Sequence, residues 1–315
     1  MYHVNRAKGP EGKVALLDPG GQTVAIVDEF LGYLTARACS PNTVTAYAYD
    51  LMYLWTFIFE KNLSWDTLSA GQASEFFIYL RGRPSRRRGY DKGVRIVSDL
   101  GRLVPPQLSA ATVNRIMVGV ATFYDWAVLS GHFSSRNPIS KVDNVVSWLV
   151  SERHRPFLDG ISRHVPPTRK LRVKTVDRLP RPMSEQQIDA LLNNLNSMRD
   201  KSLMLLMLNA GLRPGEVLNL QLADIAYGRR RITVRWRNDH PKGARTKSRR
   251  ERVVDLCDGT TLSMLNSYVM QERPREAETG FVFLIGGNGK RRNEPMSYDA
   301  LVGLFARACS RAGIR

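Results

Sequence analysis

The chain has 315 residues, enough for two packed domains, and its 43% apolar fraction argues against a disordered basic tail. Its formal net charge of +18 predicts a polyanionic partner and leaves DNA, RNA and an anionic membrane surface open. No uninterrupted apolar run reaches the roughly 20 residues that a membrane span needs, which argues against a membrane-spanning protein.

The first predicted folded block starts near Val24 and is helical. An apolar stripe over residues 26–34 predicts its first helix. Ser40 followed by Pro41 is typical of an N-cap and a first helical position, and apolar residues at spacings of three and four over 44–58 predict a long second helix. The block therefore opens with two amphipathic helices.

Two more helices complete this block. The pattern predicts a third helix over residues 70–81 and a fourth that begins at Ser109 and has one apolar face over residues 113–128. We find no convincing strand pattern among them. The sequence therefore predicts a small all-α domain of four helices over residues 22–138, preceded by an extension of residues 1–21.

A basic insertion, residues 82–106, separates the third and fourth helices. Among its several cations we single out Arg86, Arg87 and Arg88. They predict either a solvated basic loop or an insertion that contacts phosphates and becomes ordered only on DNA. A second irregular stretch, rich in proline and basic residues, predicts a linker over residues 139–182, and its length indicates function or flexibility.

The second predicted block, residues 183–315, opens on Ser184, which forms a capping-box pattern with Gln187. The nearly continuous apolar run over 203–208 predicts a buried helix. A final helix is predicted to begin at Ser297. This block is therefore also mainly helical.

One small sheet is predicted within the second block. Ile232, Val234 and Trp236 alternate with polar and basic residues, which predicts a strand with one wet, basic face. Residues 238–247 are typical of a hairpin connection, and residues 252–256 of a returning strand. The predicted fold class is therefore mainly α, with an all-α four-helix domain followed by an α+β domain that has a small antiparallel sheet.

Two patterns in the second block carry candidate chemistry. The first is Arg213, which follows a glycine-containing turn directly after the buried helix. Its planar, permanently charged guanidinium suits two phosphate oxygens, and Glu216 is close enough to hold it. A purely structural pair of Arg213 and Glu216 explains the same residues without any ligand.

The second pattern is a cluster of cations in the hairpin connection, which includes Lys242, Arg245 and Lys247. A lysine on such a turn can swing to a phosphate and protonate a departing alkoxide. A solvated basic turn is the alternative interpretation. Neither pattern identifies an active site by itself.

Five stretches of sequence together point to a family. GLRPGEVLNLQLADI, ITVRW and TKSRRERVVDL follow one another in the second block. The first block contains SPNTVTAYAYDLMYLWTF and SAATVNRIMVGVATFYDWAVLSGHFSSRNPI. In order and spacing they resemble the tyrosine recombinases (phage integrases, Xer-type resolvases and transposon recombinases). The first block resembles the SAM-like core-binding domain of this family, and the second resembles the first half of its catalytic domain.

The resemblance implies a reaction on double-stranded DNA that needs neither a metal nor another cofactor. A tyrosine hydroxyl attacks a phosphodiester and leaves a 3′-phosphotyrosyl link and a free 5′-hydroxyl. Arg213 would stabilise charge on the phosphoryl oxygens, and Lys247 would protonate the 5′ oxygen, with Lys242 as the second choice. Both domains are expected to contact DNA through polar and basic residues that equally fit a solvent-facing role: Thr43, Tyr47, Arg86, Arg87, Arg88, Thr112, Asn114, Arg115, Lys242 and Arg245.

The resemblance is incomplete at the end of the chain. In the family, a stretch like Ala312-Gly313-Ile314 leads to a His-x-x-Arg box and then to the nucleophilic tyrosine, whereas here Arg315 is the last residue. Tyr298 precedes this position and does not match the nucleophile. We therefore expect this C-terminally truncated chain to bind DNA without cutting it, and full-length members to form tetramers on paired sites.

Three functions remain open at this stage. The favoured one is a site-specific recombinase for integration, excision or transposition, and the second is a shortened relative that occupies recombination sites without cleaving. The third is a helical transcription factor in which Arg213 and Lys247 have no role. The scattered Cys39, Cys257 and Cys309 suit a reducing cytoplasm and form no metal-site pattern.

Overall fold

In a computed structural model the chain forms two compact units, residues 1–178 and residues 179–315. The structure describes residues 1–6, 13–85, 107–139, 141–142, 168–169, 171–176, 179 and 182–314. Each unit has a hydrophobic core of its own. Within these described ranges, no helix is long and apolar enough to cross a membrane.

The first unit contains the four predicted helices and short strands. In chain order its elements are β1 (His3–Arg6), β2 (Val14–Leu17), α1 (Ala25–Ala36), α2 (Pro41–Glu60), α3 (Ala70–Gly82), α4 (Ala110–Leu129), β3 (Lys141–Val142) and β4 (Thr168–Arg169). The Ser40 and Ser109 side chains cap α2 and α4, and each accepts a hydrogen bond of 3.2 Å from the backbone N–H three residues later. The predicted mainly helical fold class is confirmed.

The N-terminus differs from the prediction that the folded block starts near Val24. β1 and β2 pair antiparallel, and Val14 and Leu16 belong to the core of the first unit. Strand β1 is mostly exposed and has few apolar residues, so its pattern is too weak to predict a strand. The four helices are as predicted, but the folded block begins before Val24, because β1 and β2 contribute a hairpin to this core.

Helices α2 and α4 pack side by side and run in the same direction. The Asp50 side chain of α2 contacts Arg115 and lies beside Gly119 in α4. Further along both helices, the rings of Trp55 and Phe123 are 5.4 Å apart. Because the contacts advance together along the two helices, their N-termini lie at the same end of the unit.

The two ends of the basic insertion meet. Pro84 and Gln107 form an isolated antiparallel bridge, and the Leu108 N–H donates to the Arg83 carbonyl oxygen at 2.9 Å. The insertion therefore leaves and returns to the helical block at one place. Its predicted DNA-contacting residues lie outside the described residues: Arg86, Arg87 and Arg88.

The second unit is helical around one three-stranded antiparallel sheet. In chain order its elements are α5 (Glu185–Asn193), α6 (Met198–Asn209), α7 (Pro214–Leu218), β5 (Ile225–Ala226), β6 (Arg231–Val234), β7 (Arg252–Asp255), α8 (Gly259–Ser267) and α9 (Tyr298–Arg311). The strand order is β5-β6-β7, with Ile232 paired to both Ile225 and Val254. The predicted capping box of Ser184 and Gln187 and the predicted hairpin are both present.

Two side chains depart from the predicted strand pattern because β6 already ends at Val234. Trp236, predicted on the apolar face, is 41% exposed. Arg237, predicted on the wet face, donates to both carboxylate oxygens of the buried Asp224 at 2.7 and 2.8 Å. The prediction of a wet, basic strand face is therefore wrong at Arg237.

Candidate active site

The turn between α6 and α7 places Arg213 at a defined point. Gly211 has a positive φ of 60°, which glycine adopts without strain, and Leu212 is buried. Arg213 is the extended N-cap residue of α7, and Pro214 occupies the first helical position. The Arg213 side chain is 57% exposed, so its guanidinium is available to an anion in solvent.

The buried side chain of Glu216 stabilises this turn. Its carboxylate is fully buried and accepts hydrogen bonds from the Arg213 backbone N–H at 2.9 Å and from the Arg213 guanidinium at 3.2 Å. Arg252 donates to both oxygens of the same carboxylate at 2.8 and 2.7 Å. Hydrogen bonds from Arg252, reinforced by those from Arg213, outweigh burial and lower the pKa of Glu216 to about 2.

Arg252 was not among the candidate residues predicted from sequence. Its pairing with Glu216 spans 36 residues, so no local spacing signals it. Two guanidinium groups share one carboxylate here, which leaves a net positive charge beside the exposed face of Arg213. The sequence offered one indication of its role. Arg252 is a cation at the first position of the predicted returning strand, which lies beside the Arg213 turn.

Residues 235–251, here called the connecting segment, join β6 to β7 and pass close to α7. A Cβ atom at Gly215 would come within 2.2 Å of the Arg245 carbonyl oxygen, so only glycine permits this approach. Ala244 and Thr246 are buried, whereas the alternate residues Arg245 and Lys247 are exposed. The segment therefore exposes Arg245 and Lys247 to solvent next to the Arg213 turn.

Lys242, the second choice for the family lysine, is engaged elsewhere. Its Nζ lies 2.5 Å from a carboxylate oxygen of Glu294, which also pairs with Arg291 at 3.0 Å. His240, two residues earlier, is buried with its ring 4.8 Å from that of Phe281, and burial lowers its pKa. This end of the connecting segment is therefore anchored to the body of the second unit.

An apolar groove of about 250 Å³ adjoins the Arg213 turn. Its lining residues are Met207, Pro214, Tyr298, Leu301, Val302 and Phe305. Tyr298 is the first residue of α9 and is 52% exposed. The groove places apolar surface directly beside the residue that follows Arg213.

In the first unit, two of the residues predicted to contact DNA lie at helix N-termini. The hydroxyl groups of Thr43 and Thr112 hydrogen-bond to the capping serines of α2 and α4 at 2.8 and 2.9 Å. Tyr47 is half-buried, with its ring 5.7 Å from that of Phe30. The structure thus brings the two threonines to the same end of the unit.

The other two predicted residues of this unit have partners inside it. Asn114 donates to the Val173 carbonyl oxygen at 3.0 Å and accepts from the Val173 N–H at 2.8 Å. Arg115 lies 2.6 Å from the buried carboxylate of Asp50, although its own side chain is 49% exposed. Asn114 therefore holds the segment 171–176 against α4, and DNA contact by both residues stays a prediction.

Comparison with known proteins gives two family models that match the chain. The model described as the phage integrase family matches residues 181–315, and the model described as the phage integrase N-terminal SAM-like domain matches residues 27–88. Transposase A from transposon Tn554 of Staphylococcus aureus is 28% identical over 305 residues, which cover 95% of this chain and 78% of that protein. Tyrosine recombinase XerC of Caldanaerobacter subterraneus is 24% identical over 217 residues, 64% of this chain and 49% of that protein.

Solved structures share the fold. The Tn1549 transposon integrase in complex with circular intermediate DNA has a TM-score of 0.54 at 14% identity, covering 91% of this chain and 78% of that chain. Lambda integrase bound to DNA has a TM-score of 0.53 at 14% identity, covering 92% and 78%. The two family models together match more than half of the residues, in two separate domains. The chain belongs to the phage integrase family of tyrosine recombinases.

Proposed function

We propose that this protein recombines double-stranded DNA at specific sites, in integration, excision or transposition, by cutting and rejoining strands through a 3′-phosphotyrosyl link. The observation that carries the proposal is Arg213, an exposed guanidinium fixed by a buried, charged Glu216 beside the basic connecting segment. A preorganised cation of this kind stabilises the charge that develops on phosphoryl oxygens, because it need not reorient as the charge forms.

Arg213 supplies the phosphate-binding group. Its planar guanidinium offers several N–H donors, of which the contact with Glu216 uses one, at 3.2 Å. The remaining donors can bind two oxygens of a phosphodiester. Since both Arg213 and Arg252 draw on the single negative charge of Glu216, the turn keeps an excess positive charge that attracts the DNA backbone.

Lys247 supplies the general acid. It is exposed and lies two residues beyond Arg245, whose backbone contacts α7 at Gly215. Lys242 is held by Glu294 instead, which favours Lys247 for protonating the departing 5′ oxygen. We propose that Lys242 and Arg245 contact the DNA backbone.

The first unit supplies further DNA contacts. The N-termini of α2 and α4 lie at one end of it, and backbone N–H groups at helix N-termini attract phosphates. Thr43 and Thr112 lie at this end, and the half-exposed Arg115 lies one turn further along α4. Formation of tetramers on paired sites and action in the cytoplasm remain part of the proposal.

The reaction needs no external energy source. The tyrosine hydroxyl gives its proton to water, and its oxygen forms a bond to phosphorus while the bond to the 5′ oxygen breaks. That 5′ oxygen takes a proton from Lys247. The phosphotyrosyl link conserves the bond energy, so attack by another 5′-hydroxyl rejoins the strands without ATP. We propose that Tyr298, in the apolar groove, is not the nucleophile.

The test uses protein expressed from the native gene to its own stop codon, beside the 315-residue chain. Both are mixed with nicked suicide DNA made from the sequences that flank the gene and are run on a denaturing gel. We expect a covalent protein–DNA band from the gene product, unchanged by Tyr298→Phe. Lys247→Met should slow its formation about 100-fold without weakening binding, and Lys242→Met should slow it far less.

The outcomes separate the two leading functions. If neither protein gives a covalent band while both bind DNA tightly and in a salt-sensitive way, the protein is a non-cleaving regulator of recombination sites. If Lys242→Met is the more damaging substitution, the lysine roles proposed above are reversed.

A further inference from the structure

The connecting segment and the strand after it touch the first turn of α7 on two neighbouring residues. At Gly215, the Arg245 carbonyl oxygen lies where a side chain would begin, 2.2 Å from an added Cβ atom. At Glu216, both carboxylate oxygens accept hydrogen bonds from Arg252. Because successive Cα atoms are about 3.8 Å apart, these two contacts fall within a single helical turn. Residues 246–251 are thus held over α7 at both ends.

Lys247 lies inside this stretch, two residues from the first contact. Two extended residues span at most about 7 Å, so the contact at Gly215 limits how far the Lys247 backbone can move. The buried Thr246 next to it turns Lys247 towards solvent. The two contacts with α7 therefore determine where Lys247 stands relative to Arg213.

Arg213 and Lys247 depend on these contacts to different degrees. Arg213 lies in the same turn as Glu216 and contacts it through both its backbone N–H and its guanidinium. Lys247 is linked to that carboxylate through Arg252, which is 36 residues from Glu216 in sequence. Loss of Arg252 would therefore free one end of the stretch that carries Lys247, while Arg213 keeps its own contacts with Glu216.

We propose that Arg252 is a positioning residue that fixes Lys247 at the scissile phosphate through its paired hydrogen bonds to Glu216. The inference rests on the recombinase function proposed above. Arg252 acts through the path of the backbone, since both of its terminal nitrogens donate to Glu216. Its own side chain is not required to touch DNA.

The chemistry of the leaving group distinguishes this role from others. In normal DNA the departing 5′ oxygen needs a proton from Lys247. If sulfur replaces that bridging oxygen, the phosphorus–sulfur bond breaks and the 5′ sulfur leaves as a thiolate, which is stable without a proton because a thiol is far more acidic than an alcohol. A misplaced Lys247 should therefore slow cleavage of normal DNA much more than cleavage of 5′-thio DNA, whereas a misplaced Arg213 should slow both.

The first experiment compares Arg252→Met with Arg231→Met in protein expressed from the native gene, using both DNAs. Arg231 is a matched control, because it begins β6 and pairs with the exposed Asp255 on the same sheet. We expect Arg252→Met to slow cleavage of normal DNA about 100-fold and of 5′-thio DNA less than about 5-fold. Arg231→Met should change neither rate, and Arg252→Lys should recover part of the loss. Equal slowing of both DNAs by Arg252→Met would overturn the proposal.

The second experiment needs no cleavage, so it judges the positioning separately from the proposed function. Amide hydrogen exchange is measured on the 315-residue chain without DNA. We expect Arg252→Met to speed exchange over residues 245–251 about 10-fold, with unchanged exchange in α8 and α9 showing that the unit remains folded. If residues 245–251 exchanged at the same rate in Arg252→Met as in Arg231→Met, the proposal would be overturned even if cleavage were lost.

Discussion

Both units bury a carboxylate against arginine, and two of these, Asp50 in the first unit and Glu216 in the second, differ in their tendency to ionise. Asp50 and Glu216 are both only 3% exposed. Burial outweighs the nearby Arg115 and raises the pKa of Asp50 to about 7. At Glu216, hydrogen bonds from Arg252 and Arg213 outweigh burial and lower the pKa to about 2. At Asp50 burial dominates and one arginine opposes it, whereas at Glu216 hydrogen bonds from two arginines outweigh burial.

The difference matches what each carboxylate does. Asp50 has one half-exposed partner, Arg115, and its carboxylate packs against Gly119 between two helices. Glu216 stays charged at any physiological pH and aligns two guanidinium groups at a surface. A buried carboxylate with one half-exposed arginine partner tolerates a proton, whereas one that aligns two guanidinium groups has to remain ionised.

The largest expected effect is a pH dependence in the first unit. The pKa of Asp50 is about 7 when folded, compared with its ordinary 3.8, so the folded unit keeps a proton that the unfolded chain releases. Stability should therefore fall as the pH rises from about 4 to about 7, by up to about 4 kcal/mol, and level off above. Asp50→Asn should remove this slope, as measured by urea unfolding with pulse-labelled hydrogen exchange in α2 and α4. A slope that survives the substitution would mean that a group other than Asp50 produces it.

The second effect has the opposite sign and lies in the second unit. Glu216→Gln removes the charge between Arg213 and Arg252, which should destabilise this unit by about 3 kcal/mol at neutral pH. Because the folded pKa lies near 2, the difference from wild type should shrink as the pH falls below about 4.5. Urea unfolding, followed by amide hydrogen exchange in α8 and α9, measures the stability difference at neutral pH and its change at low pH.

The control for this prediction is Asp255→Asn, which breaks the exposed pair of Arg231 and Asp255 in the same sheet. We expect it to change stability by less than about 1 kcal/mol. Equal effects of the two substitutions would show that the buried carboxylate contributes no more than a surface one.

The same comparison shows which features the sequence could predict. Ser40, Ser109 and Ser184 were predictable N-caps, because a cap is recognised within three residues of its helix. The roles of Asp50 and Arg252 depend on partners 65 and 36 residues away, and single-sequence periodicity carries no such information. Arg213 was predictable as a candidate because its turn has a local glycine and proline pattern.

Asn114 shows the same limit, because its partner is also distant in the sequence. Its DNA contact stays a prediction, and the structure adds that its amide pairs with the Val173 backbone 59 residues away. From sequence alone, a polar residue on a helix gives no sign of the distant segment of the same chain that pairs with it. The N-terminal hairpin escaped prediction for a related reason, since its buried residues are identified only by the helix they cover.

The smallest effect tests the packing of Asp50 directly. A Cβ atom at Gly119 would lie 2.8 Å from a carboxylate oxygen of Asp50, so Gly119→Ala should push the two helices apart and destabilise the first unit by about 2 kcal/mol. Gly32→Ala in α1 is the matched control, because nothing lies within 4 Å of its added Cβ, and it should be neutral or stabilising by up to about 1 kcal/mol. Amide hydrogen exchange in α2 and α4 during urea unfolding measures the stability of both variants. If Gly119→Ala matched the control, Asp50 would have room to hydrate, and burial would no longer account for its raised pKa.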